Sequence, residues 1–227
     1  MPNPAACWAA RLERPDVVYV LSLISHSAHR TQQRDWRISW RRNHELIGPA
    51  ARRCIPAPVI ETLAQSGRFW AISSRLLIAE AARRGWFLGR HRCRRVPPYV
   101  AADRALFLPY LAAALDARAQ LDLRRSVPVL RITLNRTGPP FELHSIEDAC
   151  WRHGVPAVVL EDLRLHRQHL TFPGRAGLQA ALDLPIRRRD LRGKIQRSLR
   201  WAPASSPLED ALAKLLAGSR EPQDALD

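Results

Sequence analysis

Lysine is almost missing from this chain: of 36 basic residues only Lys194 and Lys214 are lysines, and the others are arginine. Cysteine is nearly as scarce. Cys7, Cys54, Cys93 and Cys150 stand far apart and none belongs to a C-x-x-C pair, which removes the usual zinc spacings and dithiol redox motifs and leaves free thiols in a reducing compartment. No apolar run approaches the ~18 residues of a membrane span, and residues 1–16 lack the apolar core of a secretory signal. A cytoplasmic protein with no membrane contact is expected. A Gly-rich phosphate loop, G-x-S-x-G and H-E-x-x-H are also missing, so nucleotide hydrolysis, serine hydrolysis and zincin chemistry lack their carriers. No cofactor, metal ligand set or catalytic residue is assigned.

Acidic residues are the other shortage, 21 against the 36 bases, for a formal charge of +15. Codon usage in a GC-rich genome accounts for arginine in place of lysine but not for base in excess of acid. Three segments hold that excess: 30–53 at +5, 83–104 at +6 and 164–200 at +8, so the rest of the chain is slightly acidic. Self-repulsion on this scale calls for a polyanionic partner, and the planar guanidinium fork matches phosphate. The expected nucleic-acid contacts are Arg37, Arg41, Arg42, Arg90, Arg92, Arg94, Arg95, Arg187, Arg188, Arg189, Arg192, Lys194 and Arg197, with Trp40 and Trp201 as stacking residues. Trp36, Trp86 and Tyr99 lie beside the same clusters. The composition is otherwise that of a protein with a core, 46% hydrophobic with 7 Trp and 5 Phe in 227 residues.

Patterning predicts an α+β fold of mixed sheets with packed helices. Residues 1–14 carry two prolines without periodicity and are expected to be a loose arm. DVVYVLSLIS, from Asp16, is β-branched and apolar and predicts a buried strand. DWRISWRR alternates Trp36, Ile38 and Trp40 with Arg37, Ser39 and Arg41, a strand with a cationic wet face, and NHELI is expected to add another. VIETLAQSG reads as a short helix, RFWAI as a strand, and SSRLLIAEAARRGW as a helix capped by Ser73 or Ser74 and ended by Gly85. Pro97 and Pro98 mark the expected joint between an N-terminal part, 15–96, and a C-terminal part, 97–202. The second part opens with a long helix kinked at Pro109; LEDALAKLLAG and a polar tail complete 203–227. No internal repeat is evident.

The clearest local grammar lies in 127–172. VPVLRITLN alternates as a strand, and HSIEDACWRHG reads as a helix with a Ser145–Asp148 capping box and Gly154 at its end. SIEDACWRHGVPAVVLEDLR, residues 145–164, resembles the helix-turn-helix of excisionase and MerR-type DNA binders, which implies a second helix reading DNA. That helix would present Ala157, Val158, Glu161 and Asp162, and the valines favour a strand instead. The C-terminal order is then β-α-β-β-α, suited to a ferredoxin-like sandwich. The residues point to a non-catalytic nucleic-acid-binding subunit of a nucleoprotein complex, on RNA or DNA, with other protein subunits as partners. The alternatives are a subunit of an RNA-guided CRISPR-type effector, a nuclease using Glu161 and Asp162 with a metal or the pairs His26–His29 and His166–His169 without one, and a structural subunit bound to an acidic protein.

Overall fold

The computed structural model describes residues 4–27, 29–30, 37–40, 44–66, 69–86, 88, 95–123, 128–135, 141–162 and 167–202. The fold is α+β, with helices packed on two four-stranded antiparallel sheets.

Two helices sit at the centre. α2 (Pro15–Ser27) starts with proline at its first position and Asp16 in its first turn, and every residue from Val17 to His26 is buried. The sequence pattern predicts a strand over the same run. Continuous burial erases the 3.6-residue period that would mark a helix, whereas the Pro-Asp start is a helix signal that survives it. α6 (Arg104–Arg118) begins where the Asp103 carboxylate accepts the Ala105 N–H at 2.7 Å. It carries Pro109 inside and buries Leu106, Phe107 and Tyr110 through Asp116. Ala112, Ala113 and Ala114 keep its surface low, so that α2 lies along it in the most extensive helix pairing among the described residues, and Ser22 Oγ donates to Tyr110 O at 2.8 Å.

Each central helix leads into a sheet. After α2 come β1 (His29–Arg30), β2 (Arg37–Trp40), α3 (His44–Cys54), a 3-10 turn at Ala57–Val59, β3 (Thr62–Ser66), β4 (Phe69–Ser73) and α4 (Arg75–Arg83). After α5 (Pro98–Ala102) and α6 come β5 (Ala119–Asp122), β6 (Val129–Asn135), α7 (Phe141–Arg152), β7 (Val158–Asp162), β8 (Arg167–Phe172) and α8 (Gly174–Asp183). The sheets are ordered β1-β2-β4-β3 and β5-β6-β8-β7. Both halves therefore run helix, two strands, helix, two strands, helix, with the same strand order, although no repeat is visible in the residues. Pattern conserves only which positions face inward: Ile38, Trp70 and Ile72 in one sheet, Leu130, Ile132, Leu170 and Phe172 in the other, all buried.

Several local expectations change. Pro4–Arg11 within the expected arm is helix α1, with Trp8 and the following Leu12 fully buried. NHELI opens α3 instead of forming a strand, and VIETLAQSG contributes β3, a hairpin partner of β4, instead of a helix. α7 begins before Ser145, because Leu143 extends the inward face of Ile146, Ala149 and Cys150; Ser145 is thus inside the helix, where its Oγ accepts the Val96 N–H at 3.3 Å. Gly154, at φ 71°, ends α7 as expected. The next element is β7, so the helix-turn-helix reading of 145–164 fails: Val158–Asp162 pairs with β8 along its length. The β-α-β-β-α order holds, but the fourth strand of this sheet is β5, which precedes β6 in the chain instead of coming after α8. Ser74 caps α4, accepting from Leu77 N at 2.9 Å. A last helix, α9 (Arg189–Leu199), forms in the basic segment, where the sequence pattern predicts no element. No helix among the described residues is long and apolar enough to cross a membrane. LEDALAKLLAG lies outside the described residues.

Candidate nucleic-acid interface

The basic segment 187–200 is tied to the core by one carboxylate. Asp116, fully buried near the end of α6, accepts the Tyr19 hydroxyl at 2.5 Å and the main-chain N–H groups of Arg187 and Arg188 at 2.8 and 2.9 Å. Burial raises its pKa above the ordinary carboxylate value, and these donors oppose that shift. Burial also pushes the Tyr19 hydroxyl up, reinforced by the neighbouring Asp116 charge, so the phenol keeps its proton. The Arg187 guanidinium lies over the Tyr19 ring, 4.0 Å from its centroid. Through these contacts the start of α9 is held against both central helices.

α9 then sorts its cations by face. Leu191, Ile195 and Ser198 recur at helical spacing and point inward. Arg188 turns back to donate to the carbonyls of Asp116 and Ala119, at 3.1 and 3.3 Å, and its Nε lies 3.3 Å from Asp190. Arg192 donates to Leu182 O at 3.1 Å, at the end of α8. These two arginines satisfy carbonyls left over at helix ends. Arg189, Lys194, Arg197 and Arg200 are exposed, and none pairs with a carboxylate among the described residues. Arg189, Gly193, Gln196, Arg197 and Arg200 share the outward stripe at the i, i+4, i+7, i+8 and i+11 positions. Trp201 comes next in the chain, 83% exposed.

The other expected contacts lie outside 187–201 in the chain. Arg95 is exposed, and Arg37 and Trp40 lie on β2, paired with Ser73 and Trp70 of β4. Arg41, Arg42, Arg90, Arg92 and Arg94 lie outside the described residues. Trp86 is a core residue that donates to Tyr99 Oη at 2.8 Å, so neither ring is free to stack on a base. Of the nuclease candidates, Glu161 accepts from Gln168 Nε2 at 2.8 Å, Asp162 stands opposite Arg167 in the ladder, and His26 is buried against Tyr110. His169 Nδ1 lies 2.9 Å from Thr133 Oγ1. Among the described residues no three of His, Cys, Asp and Glu converge on a metal-sized site.

The second sheet carries a polar row that net charge does not reveal. Arg131 and Thr133 on β6, with His169 and Thr171 on β8, lie on the face of this sheet opposite its buried leucines. Arg131 is half-buried, 3.5 Å from Asp122. The signal is present in VPVLRITLN, whose alternation sends Arg131 and Thr133 outward together, but it carries too little net charge to stand out.

No protein-family model matches the chain, and no curated protein matches it in sequence. Solved structures do match its backbone. Full-length DUF199/WhiA from Thermatoga maritima superposes with a TM-score of 0.53 at 12% identity, over 91% of this chain and 67% of that one. The meganuclease I-SmaMI bound to uncleaveable DNA gives 0.50 at 9% identity, over 92% of this chain and 98% of that one. I-DmoI, solved with DNA and Mn, gives 0.47 at 14% identity over 85% and 98%. At such identities the likeness of DUF199/WhiA and I-SmaMI to this chain is one of fold.

Proposed function

We propose that this protein binds DNA by gripping its phosphate backbone with the outward stripe of α9. The observation that carries the reading is the set Arg189, Arg197 and Arg200, on one exposed line of a helix whose remaining arginines are turned inward to carbonyls. Counterions released from the phosphates drive association of this kind. Arg187, Lys194 and Arg95 are exposed and add to this charge; Arg37, Arg41, Arg42, Arg90, Arg92 and Arg94 are counted among the contacts from the charge of their sequence segments alone, and the Arg131–Thr133–His169 row carries donors and acceptors suited to base edges. The fold shared with I-SmaMI, whose structure holds DNA, favours DNA over RNA as the polyanion. Cytoplasmic residence and assembly with other subunits belong to the same proposal.

The test is affinity against salt. Three phosphate contacts predict a log–log slope of about −2 to −3, and binding that hardly changes between about 50 and about 200 mM salt would sink the reading. RNA of the same sequence is the control for the polyanion.

A further inference from the structure

The tryptophans whose side chains are described divide sharply. Trp8, Trp70 and Trp86 are buried, and Trp151 spends its indole N–H on Ala157 O at 2.9 Å. Trp201 instead leaves 83% of its surface in water. It is held there: the N–H groups of Trp201 and Ala202 both donate to Ser198 O, at 3.1 and 3.0 Å, and Ala202 is buried, so the chain turns inward immediately after the indole. Trp201 follows Arg200, the C-cap of α9, and comes four residues after Arg197, at the C-terminal end of the stripe. An exposed aromatic ring on an anchored stretch of backbone, adjacent in the chain to exposed arginines, is the combination that binds a nucleobase by its face while the cations hold the adjoining phosphates. In an intact duplex both faces of an internal base are already covered by its neighbours.

We infer that Trp201 stacks on an unpaired base, so that the preferred ligand of this surface is DNA with a single-stranded stretch. The inference rests on the DNA-binding reading of α9 and narrows its substrate class. Arg189, Arg197 and Arg200 supply affinity common to single and double strands; Trp201 supplies the difference between them.

The experiment uses the full chain, a fluorescein-labelled DNA strand of about 12 nucleotides and its blunt duplex, with anisotropy at fixed salt. Trp201→Ala is expected to weaken single-strand binding about tenfold and to leave duplex binding within about twofold, while Trp201→Phe keeps most of the single-strand affinity. Equal losses on both probes, or none on either, overturn the stacking. Arg189→Gln/Arg197→Gln/Arg200→Gln separates the two claims: if it weakens both probes while Trp201→Ala changes nothing, only the unpaired-base inference falls. If it changes neither, the DNA-binding reading of α9 falls too. Circular dichroism confirms the fold of each variant, all four side chains being exposed.

Discussion

The Tyr19 hydroxyl donates to Asp116 Oδ2 at 2.5 Å across 97 positions of chain, joining the two central helices at the point where the basic helix begins. Both are buried, and Asp116 receives two further main-chain donors from the same side.

Asp116→Asn tests this junction. The amide keeps the shape but turns an N–H group toward a main-chain N–H, and stability should fall by about 1–3 kcal/mol. The loss should depend on pH. Because burial raises the folded pKa of Asp116 above 3.8, the fold holds the proton more tightly than the unfolded chain does. The stability this contributes is full below that value and is lost as pH rises through the raised one. Urea midpoints of wild type and variant should therefore converge as the pH is raised above 3.8, and a widening gap would contradict the account.

Arg188→Gln and Arg197→Gln should separate stability from binding, although both arginines belong to one helix and its cap. Arg188 gives up two bonds to carbonyls and should lose about 1–3 kcal/mol of stability. Arg197 is exposed; its replacement should leave stability within about 0.5 kcal/mol and flatten the salt dependence of DNA binding by about one unit of slope. The same pair of measurements on both variants decides it, and a reversed pattern would reassign the two residues.

Gly177→Ala addresses packing. A methyl group at this position of α8 would come within 2.5 Å of the Phe172 carbonyl carbon and 3.0 Å of its Cα. Backbone on both sides leaves nothing flexible to move, so α8 must lift from β8, at a cost of about 2–4 kcal/mol in chemical denaturation. An unchanged midpoint would show that the helix shifts freely.

How much of the fold is legible in the residues depends on what each one answers to. β6, β8, α4 and α8 obey local rules of alternation and capping that survive in the folded chain, and their sequences announce them. α2 does not announce itself, because a helix buried on every side shows no period, and only Pro15 and Asp16 betray it. The charge in 187–200 is visible, but its division is not. Arg188 and Arg192 find their carbonyls on α6, β5 and α8, between about 10 and 72 residues away, and nothing in the local sequence distinguishes them from Arg189 and Arg197. Trp201 and Trp86 likewise sit beside similar basic neighbours; only the fold puts one in water and the other in the core.

The pairing of α2 with α6 has a consequence for dilution. Both helices belong to one chain, so their encounter is governed by the length of the intervening segment and not by how much protein is present. Where two separate subunits meeting through such helices would come apart at low concentration, this contact persists on dilution, and with it the anchorage of the basic helix.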